Sequence, residues 1–213
     1  MFVRTTMLRA LACAVLLPAL LSGCVTGRNS APAFTYTTPD LAKGVVVGTV
    51  FESSVFEAHG ARFGIVSGDP AALEGKSLWL SSHAPAGQVA LLNVLPKVPT
   101  GKGSTFALQL TPGRYSVIIW LLDYGFRSRY SEASPKPIEF DVVAGKVIYL
   151  GRLDANRFVE VASIYDNFEE DIVYLKKNPL LANASIENKA LEVREWWLTD
   201  ALSKEILERN RAK

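Results

Sequence analysis

Short apolar runs separated by glycine and proline turns fill the chain from Lys43 to about Val161, and they constrain the fold more than any other feature. Tyr115 to Leu122 is continuously apolar, which is typical of a strand buried on both faces. Ile138, Phe140 and Val142 alternate with acidic residues, which is typical of a half-exposed strand. Strands are predicted at residues 45–51, 61–67, 77–80, 105–110, 115–122, 138–142, 147–150 and 158–164. About seven to eight such strands predict a mainly β fold, an antiparallel β-sandwich spanning residues 42–165.

The apolar period changes in residues 166–213, where two C-terminal α-helices are predicted. The first begins with the capping box Asp166-Asn167-Phe168-Glu169 and ends at Asn178-Pro179. The second runs from Ser185 to about Glu208. Trp196 and Trp197 would face about 100° apart on it, so that one can join the core while the other lies at the rim. Whether this helix packs on the sandwich or binds a partner is left open.

Two turn segments carry a resemblance to a known domain family. Leu110-Thr111-Pro112-Gly113-Arg114-Tyr115 resembles the turn into a strand in transthyretin-like, carboxypeptidase-regulatory-type β-sandwich domains. Val142 to Gly151 resembles a hairpin of bacterial lipoproteins that carry such a domain. The resemblance covers about residues 43–165. It implies a transthyretin-like sandwich in a binding or structural module, and it brings no catalytic motif.

The N-terminus resembles the signal peptide of a bacterial lipoprotein. Arg4 and Arg9 precede an apolar run from Ala10 to Leu21 that is too short to span a membrane. Leu21-Ser22-Gly23-Cys24 resembles a lipobox. We therefore predict that residues 1–23 are removed and that Cys24 carries acyl chains, palmitate among them, which anchor the protein permanently. Residue 25 is Val rather than Asp, which by resemblance favours the outer membrane, with the protein facing the periplasm.

Lipidation would leave a neutral chain without a free thiol. The only other cysteine, Cys13, lies in the signal, and removal of 23 of the 213 residues leaves 190, enough for one substantial core. The full chain has 23 basic and 21 acidic side chains, and Arg4 and Arg9 leave with the signal. A net charge of zero does not indicate a nucleic-acid partner. Residues 24–41 are predicted as a flexible lipidated tether, unless Phe34 and Tyr36 dock on the domain.

The segment from Asp123 to Ser131 is the most suggestive candidate for a binding loop. It concentrates aromatic and arginine side chains, the residue types enriched at binding hot spots. The predicted binding residues are Tyr124, Phe126, Arg127, Arg129 and Tyr130. The alternative is an extended hairpin whose aromatic residues cover the sandwich edge.

Catalytic and metal-binding patterns are weak. Ser81-Ser82-His83 places hydroxyls beside an imidazole, but neighbours on a strand point to opposite faces. Two distant histidines offer no zinc spacing, and the acids Asp166 and Glu169 to Asp171 favour helix capping over a calcium site. No catalytic residue, metal ligand or cofactor is therefore predicted. We expect a noncatalytic envelope module that binds a protein or a glycan. The alternatives are a cell-envelope hydrolase and a domain that only spaces other components.

Overall fold

Two β-sheets packed against each other form the body of the protein. The computed structural model of the chain describes residues 32–53, 60–82, 102–124, 128–132, 134, 136 and 138–198. The described residues form eleven strands, more than the seven to eight that the sequence predicts, although each predicted strand overlaps one of them. The protein is therefore mainly β, as the sequence predicts.

The first sheet, sheet A, has six strands and carries the helix on its outer face. Its strands are β1 (Gly44–Ser53), β4 (Lys102–Leu110), β8 (Val147–Asn156), β9 (Val161–Tyr165), β10 (Ile186–Asn188) and β11 (Val193–Trp197). They lie in the order β11-β9-β8-β1-β4, and β10 also pairs with β8. Both β1 and β10 run parallel to β8, so the prediction of a purely antiparallel sandwich was wrong for this sheet.

The second sheet, sheet B, is antiparallel and has five strands. Its strands are β2 (Ala61–Ser67), β3 (Leu78–Ser81), β5 (Gly113–Asp123), β6 (Ser128–Tyr130) and β7 (Glu139–Val142). They lie in the order β3-β2-β5-β6, and β7 also pairs with β5. A short 3₁₀ turn at Pro70–Leu73 links β2 to β3.

The inner faces of the two sheets share one hydrophobic core. Phe63 of sheet B contacts both Trp120 and Trp196, with 6.3 Å between ring centres in each pair. The indole of Trp120 donates to the carbonyl of Trp196, and the indole of Trp196 donates to the carbonyl of Glu132, each at 3.0 Å. These bonds satisfy both buried indole N–H groups and join the sheets at one edge.

The two turns singled out in the sequence carry the chain from one sheet to the other. Thr111-Pro112 connects β4 of sheet A to β5 of sheet B, and the hydroxyl of Tyr115 donates back to the carbonyl of Thr111 at 2.7 Å. The same back-bond forms the tyrosine corner of immunoglobulin-type sandwiches. The turn at Gly145 connects β7 to β8, which belong to different sheets, so the hairpin predicted there is instead a crossing between sheets.

The helix α1 (Phe168–Leu175) lies on the outer face of sheet A and makes a third layer. Leu175 and Leu181 pack there against Val45, Val47 and Tyr149. The capping differs from the predicted box, because Asn167 is the N-cap residue and Asp166 accepts from the N–H of Phe168 at 2.9 Å. In the described part of the chain, no helix has the length and apolarity that crossing a bilayer requires.

The second predicted helix was wrong where the structure describes it. Residues 186–188 and 193–197 form β10 and β11 and extend sheet A, so the sheet continues beyond residue 165. Trp196 is buried and Trp197 is exposed because neighbouring side chains of a strand point to opposite faces. The remainder of that predicted helix, residues 199–208, lies outside the described residues.

The N-terminal segment joins the folded domain earlier than a tether through residue 41 would allow. Phe34 lies in the core between the sheets, and Thr35 forms a β-bridge with Leu108. Tyr36 packs against the outer layer, and its N–H donates to the carbonyl of Ala107 at 3.1 Å. Of the two alternatives that the sequence left open, the structure therefore has Phe34 and Tyr36 docked on the domain.

Candidate functional site

A buried carboxylate joins the helix to the outer face of sheet A. Asp171 lies in the first turn of α1 and is fully buried. It accepts hydrogen bonds from the Thr49 hydroxyl at 2.5 Å and the Tyr149 hydroxyl at 2.7 Å. The Arg152 guanidinium donates to its other oxygen through Nε at 3.1 Å and also through Nη2. This set of donors satisfies a charge that would otherwise be costly to bury.

Arg152 extends the network toward the surface. Its guanidinium lies over the Phe51 ring, 4.5 Å from the ring centre, and pairs with the exposed Glu170 at 3.3 Å. Burial alone would lower the pKa of Arg152, but the hydrogen bond and charge of Asp171 outweigh that effect and raise it. The guanidinium therefore stays charged beneath the helix.

A second acid, Asp154, lies two residues after Arg152 on β8. Asp154 accepts from the Ser53 hydroxyl at 2.7 Å and 2.9 Å, and the Tyr165 hydroxyl lies 3.5 Å from it. Burial raises the pKa of Asp154, and burial together with the charge of Asp154 raises the pKa of Tyr165. Burial and the bond to Asp171 raise the pKa of Tyr149 as well, so both phenols stay protonated as donors at neutral pH.

An open cleft lies where the C-terminal end of α1 meets strands β1 and β4. Its volume is about 330 Å³, and we call it the helix cleft. It is lined by Thr49, Phe51, Gly103, Ser104, Thr105, Tyr174, Lys177 and Asn178. Gly103 is required here, because a Cβ would lie 2.7 Å from the Phe51 ring and 2.5 Å from the Val50 carbonyl. The ring thereby occupies the space that a side chain at position 103 would fill.

The helix cleft combines aromatic, hydroxyl, amide and ammonium groups. The ammonium of Lys177 lies 4.8 Å from the centre of the Tyr174 ring at the exposed wall. None of the described lining residues is a carboxylate, and the nearby Asp171 is covered by its donors. These groups can stack on and hydrogen-bond a ligand. A pair of acids able to cleave a glycosidic bond is absent from the lining that the structure describes.

The predicted binding loop is placed in part. Tyr124 donates to Glu160 at 3.3 Å, Arg129 forms an ion pair with the same carboxylate, and Arg157 stacks on the Tyr124 ring at 4.6 Å. These contacts hold Tyr124 and Arg129 against the domain, whereas Tyr130 is 39% exposed. Phe126, Arg127 and Cys24 lie outside the described residues, as does His83.

Exposed apolar side chains gather around Glu160, next to that loop. Phe158 is 63% and Trp197 is 44% exposed, and Val159 is also exposed. Trp197 pairs with Val161 across the sheet, and the bridge between Ser131 and Leu198 brings Tyr130 to the same edge. We call Tyr130, Phe158, Val159 and Trp197 the apolar patch.

Sequence reasoning missed the buried pair of Asp171 and Arg152. It assigned Asp171 to an acidic first turn that favours the helix dipole. The sequence nevertheless contains a pattern that indicates burial of Asp171. Phe168, Asp171, Ile172 and Leu175 follow the i, i+3, i+4, i+7 spacing of a buried helix face. An acid at such a position requires a buried partner. Among the described residues, no group of three or more His, Cys, Asp or Glu side chains could hold a metal ion.

Comparisons with known proteins add little to this geometry. No family model and no curated protein matches the chain. Among solved structures, a leucine-rich repeat protein from Bacteroides thetaiotaomicron VPI-5482 aligns with 56% of this chain at 14% identity and a TM-score of 0.27. The chain spans only 14% of that protein's length, and a likeness at this level carries no argument about fold or function.

Proposed function

We propose that this protein is a lipid-anchored component of the bacterial cell envelope that binds a glycan of the envelope without chemically altering it. Cys24 would carry the lipid, and the protein would face the periplasm from the outer membrane. The two sheets, joined by the Thr111-Pro112 and Gly145 turns, support a domain of transthyretin-like type. The helix cleft is the observation that carries the proposal.

The composition of the helix cleft supports a polyhydroxylated ligand. Tyr174 contributes an aromatic ring to the wall, and Thr105 and Asn178 contribute hydroxyl and amide groups that can exchange hydrogen bonds with sugar hydroxyls. Lys177 adds a positive charge for an acidic group on the polymer. A volume of about 330 Å³ is at the lower end for small-molecule sites and suits one or two sugar rings.

At the helix cleft, the positions of the acids favour binding over the hydrolase alternative. A glycosidase needs two carboxyl groups that flank the scissile bond. Asp171 is buried beneath the helix in hydrogen bonds with Thr49, Tyr149 and Arg152. Asp154 is half-buried on β8 and is bonded to Ser53. Neither carboxylate lines the helix cleft.

The test measures binding of envelope glycan fragments by the purified lipidated protein. Lys177→Ala and Tyr174→Ala should each weaken binding by about tenfold, which corresponds to about 1.4 kcal/mol. Lys176→Ala is the matched control, since Lys176 is also exposed but does not line the helix cleft. Equal affinity in all variants would contradict the proposal. Release of new sugar ends from the fragments would instead support the hydrolase.

The apolar patch favours a second candidate function, assembly with an envelope protein. Exposed aromatic side chains beside arginines are typical of the centre of protein interfaces. A photocrosslinker at position 130 in intact cells should then yield one dominant protein adduct, and the same group at the similarly exposed Ile118 on β5 should not. Glycan adducts, or none, at position 130 would argue against assembly through this patch.

A further inference from the structure

The chain enters the folded domain at one end of the two sheets. Thr35 bridges Leu108, which lies two residues before the end of β4, and Gly44 at the start of β1 pairs with Leu110. The turn at residues 143–146 lies at this same end, because the N–H of Gly145 donates to the carbonyl of Lys43 at 2.9 Å. We call it the proximal end. The opposite end, at the turn between β8 and β9, is the distal end.

The length of chain between Cys24 and the domain limits how the domain can lie on a membrane. Eight residue steps separate Cys24 from Pro32, and they span at most about 28 Å when fully extended. Strand β1 alone, with ten residues, is about 30 Å long. A lipid on Cys24 therefore reaches a bilayer at the proximal end with slack, but it reaches the distal end only with the segment fully stretched along the domain.

The proximal end presents two exposed apolar side chains. Leu41 is 83% exposed and Val143 is 53% exposed, each in a turn. The turns are tied together, since Gly145 bonds to Lys43 and the N–H of Val45 donates to the carbonyl of Lys146 at 2.8 Å. The nearby carboxylate of Asp40 is turned onto its own loop, where it accepts from the N–H of Ala42 at 2.9 Å.

We propose that the proximal end is a membrane-contacting surface, with Leu41 and Val143 inserted at the headgroup level of the bilayer that holds the lipid on Cys24. The inference rests on the proposed lipid anchor and adds an orientation to it. Apolar side chains gain free energy by moving from water into the boundary between headgroups and acyl chains. The anchor holds them within reach of it, so even a weak contact persists. The apolar patch at the distal end then faces away from the membrane.

The experiment places a fluorophore at three positions of the full-length lipidated protein. Leu41→Cys, Val143→Cys and the distal control Phe158→Cys are labelled with a membrane-sensitive dye, since Cys24 is acylated and no other thiol remains in the processed chain. The protein is reconstituted in vesicles of phosphatidylethanolamine and phosphatidylglycerol that contain nitroxide-bearing lipids. Headgroup-level insertion predicts that quenching at positions 41 and 143 is at least about threefold stronger than at position 158.

Two other outcomes would overturn the proposal in distinguishable ways. Equal quenching at the three positions, or stronger quenching at position 158, with the protein still bound to the vesicles, would reject the orientation and leave the anchor intact. Failure of the protein to acquire a lipid and to float with the vesicles would reject the anchor, and the orientation with it. Thermal unfolding of each labelled variant checks that the fold is unchanged.

Discussion

Asp171 is the residue on which the attachment of the outer layer depends most. Asp171→Ala leaves the Arg152 guanidinium buried without its main partner, so we expect a loss of about 3–5 kcal/mol in unfolding free energy. Glu170→Ala is the matched control, because Glu170 also pairs with Arg152 but is largely exposed, and it should cost less than about 1 kcal/mol. Urea unfolding measures both. Similar losses in the two variants would show that the buried pair has no special role.

Asp154 should make stability depend on pH. Burial raises its pKa in the folded protein, so the folded state keeps a proton that the unfolded state has released. The unfolding free energy therefore falls as the pH rises from about 4 through that window. Asp154→Asn removes this dependence. The unfolding free energy of the variant minus that of the wild type should therefore increase as the pH rises from 4 to 7. Urea unfolding at both pH values tests this, and a difference that does not change with pH would contradict it.

At the scale of the element, β8 depends on a glycine at which its pairing changes. Residues 147–149 pair with β10, residues 152–156 pair with β9, and Gly151 lies between them at φ +116°. A Cβ on Gly151 would lie 3.0 Å from the carbonyl oxygen of Tyr165. We expect Gly151→Ala to cost about 3 kcal/mol, because backbone strain and crowding act together.

Gly75→Ala provides a comparison without crowding for Gly151→Ala. Gly75 also has a positive φ, of 71°, but nothing lies within 4 Å of an added Cβ. Backbone strain alone should cost Gly75→Ala about 1 kcal/mol. Thermal or urea unfolding gives both values. A cost at Gly151 no larger than that at Gly75 would contradict the excess expected from its larger φ and from crowding by Tyr165.

The two tryptophans of β11 test the strand that replaces the predicted helix. Trp196 fills the core beside Phe63 and Trp120, so Trp196→Ala should cost about 3–5 kcal/mol. Trp197 is exposed, and Trp197→Ala should cost less than about 1 kcal/mol. Urea unfolding provides the comparison. A large loss from Trp197→Ala would contradict the assignment of the two faces.

Local pattern predicts the long elements well and the short terminal strands poorly. The runs 45–51 and 115–122 are dense in apolar residues and bounded by turns, so their strands were predicted to within a few residues. The segments 186–188 and 193–197 are too short to show a strand period, and their apolar residues also fit helical spacing. What decides their conformation is the pairing offered by β8 and β9, which is a tertiary effect.

At the scale of the whole molecule, the same limit explains which parts of the site were predictable. Hot-spot residue types directed attention to Tyr124, Arg129 and Tyr130, but local sequence does not show that Glu160, about thirty residues away, holds the first two. The helix cleft joins β1, β4 and the end of α1, which are distant in sequence. Sites assembled from such distant segments depend on how the sheets and the helix pack, and local sequence patterns do not predict that packing.

The lipid anchor is tested on the full chain by exchanging its two cysteines separately. Cys24→Ser should move the protein from the membrane fraction to a soluble or unprocessed form, because no acyl chain can then be attached. Cys13→Ser is the matched control, since Cys13 lies in the predicted signal and its exchange should leave membrane partition unchanged.

The midpoint of thermal unfolding should remain the same in the Cys24→Ser variant, because the first described residue of the core is Phe34. Fractionation and metabolic labelling with palmitate read out the anchor, and unchanged partition of Cys24→Ser would refute it. A lowered unfolding temperature in that variant would show instead that the segment around Cys24 contributes to the fold, and fewer residues would then be free to span the distance to the membrane.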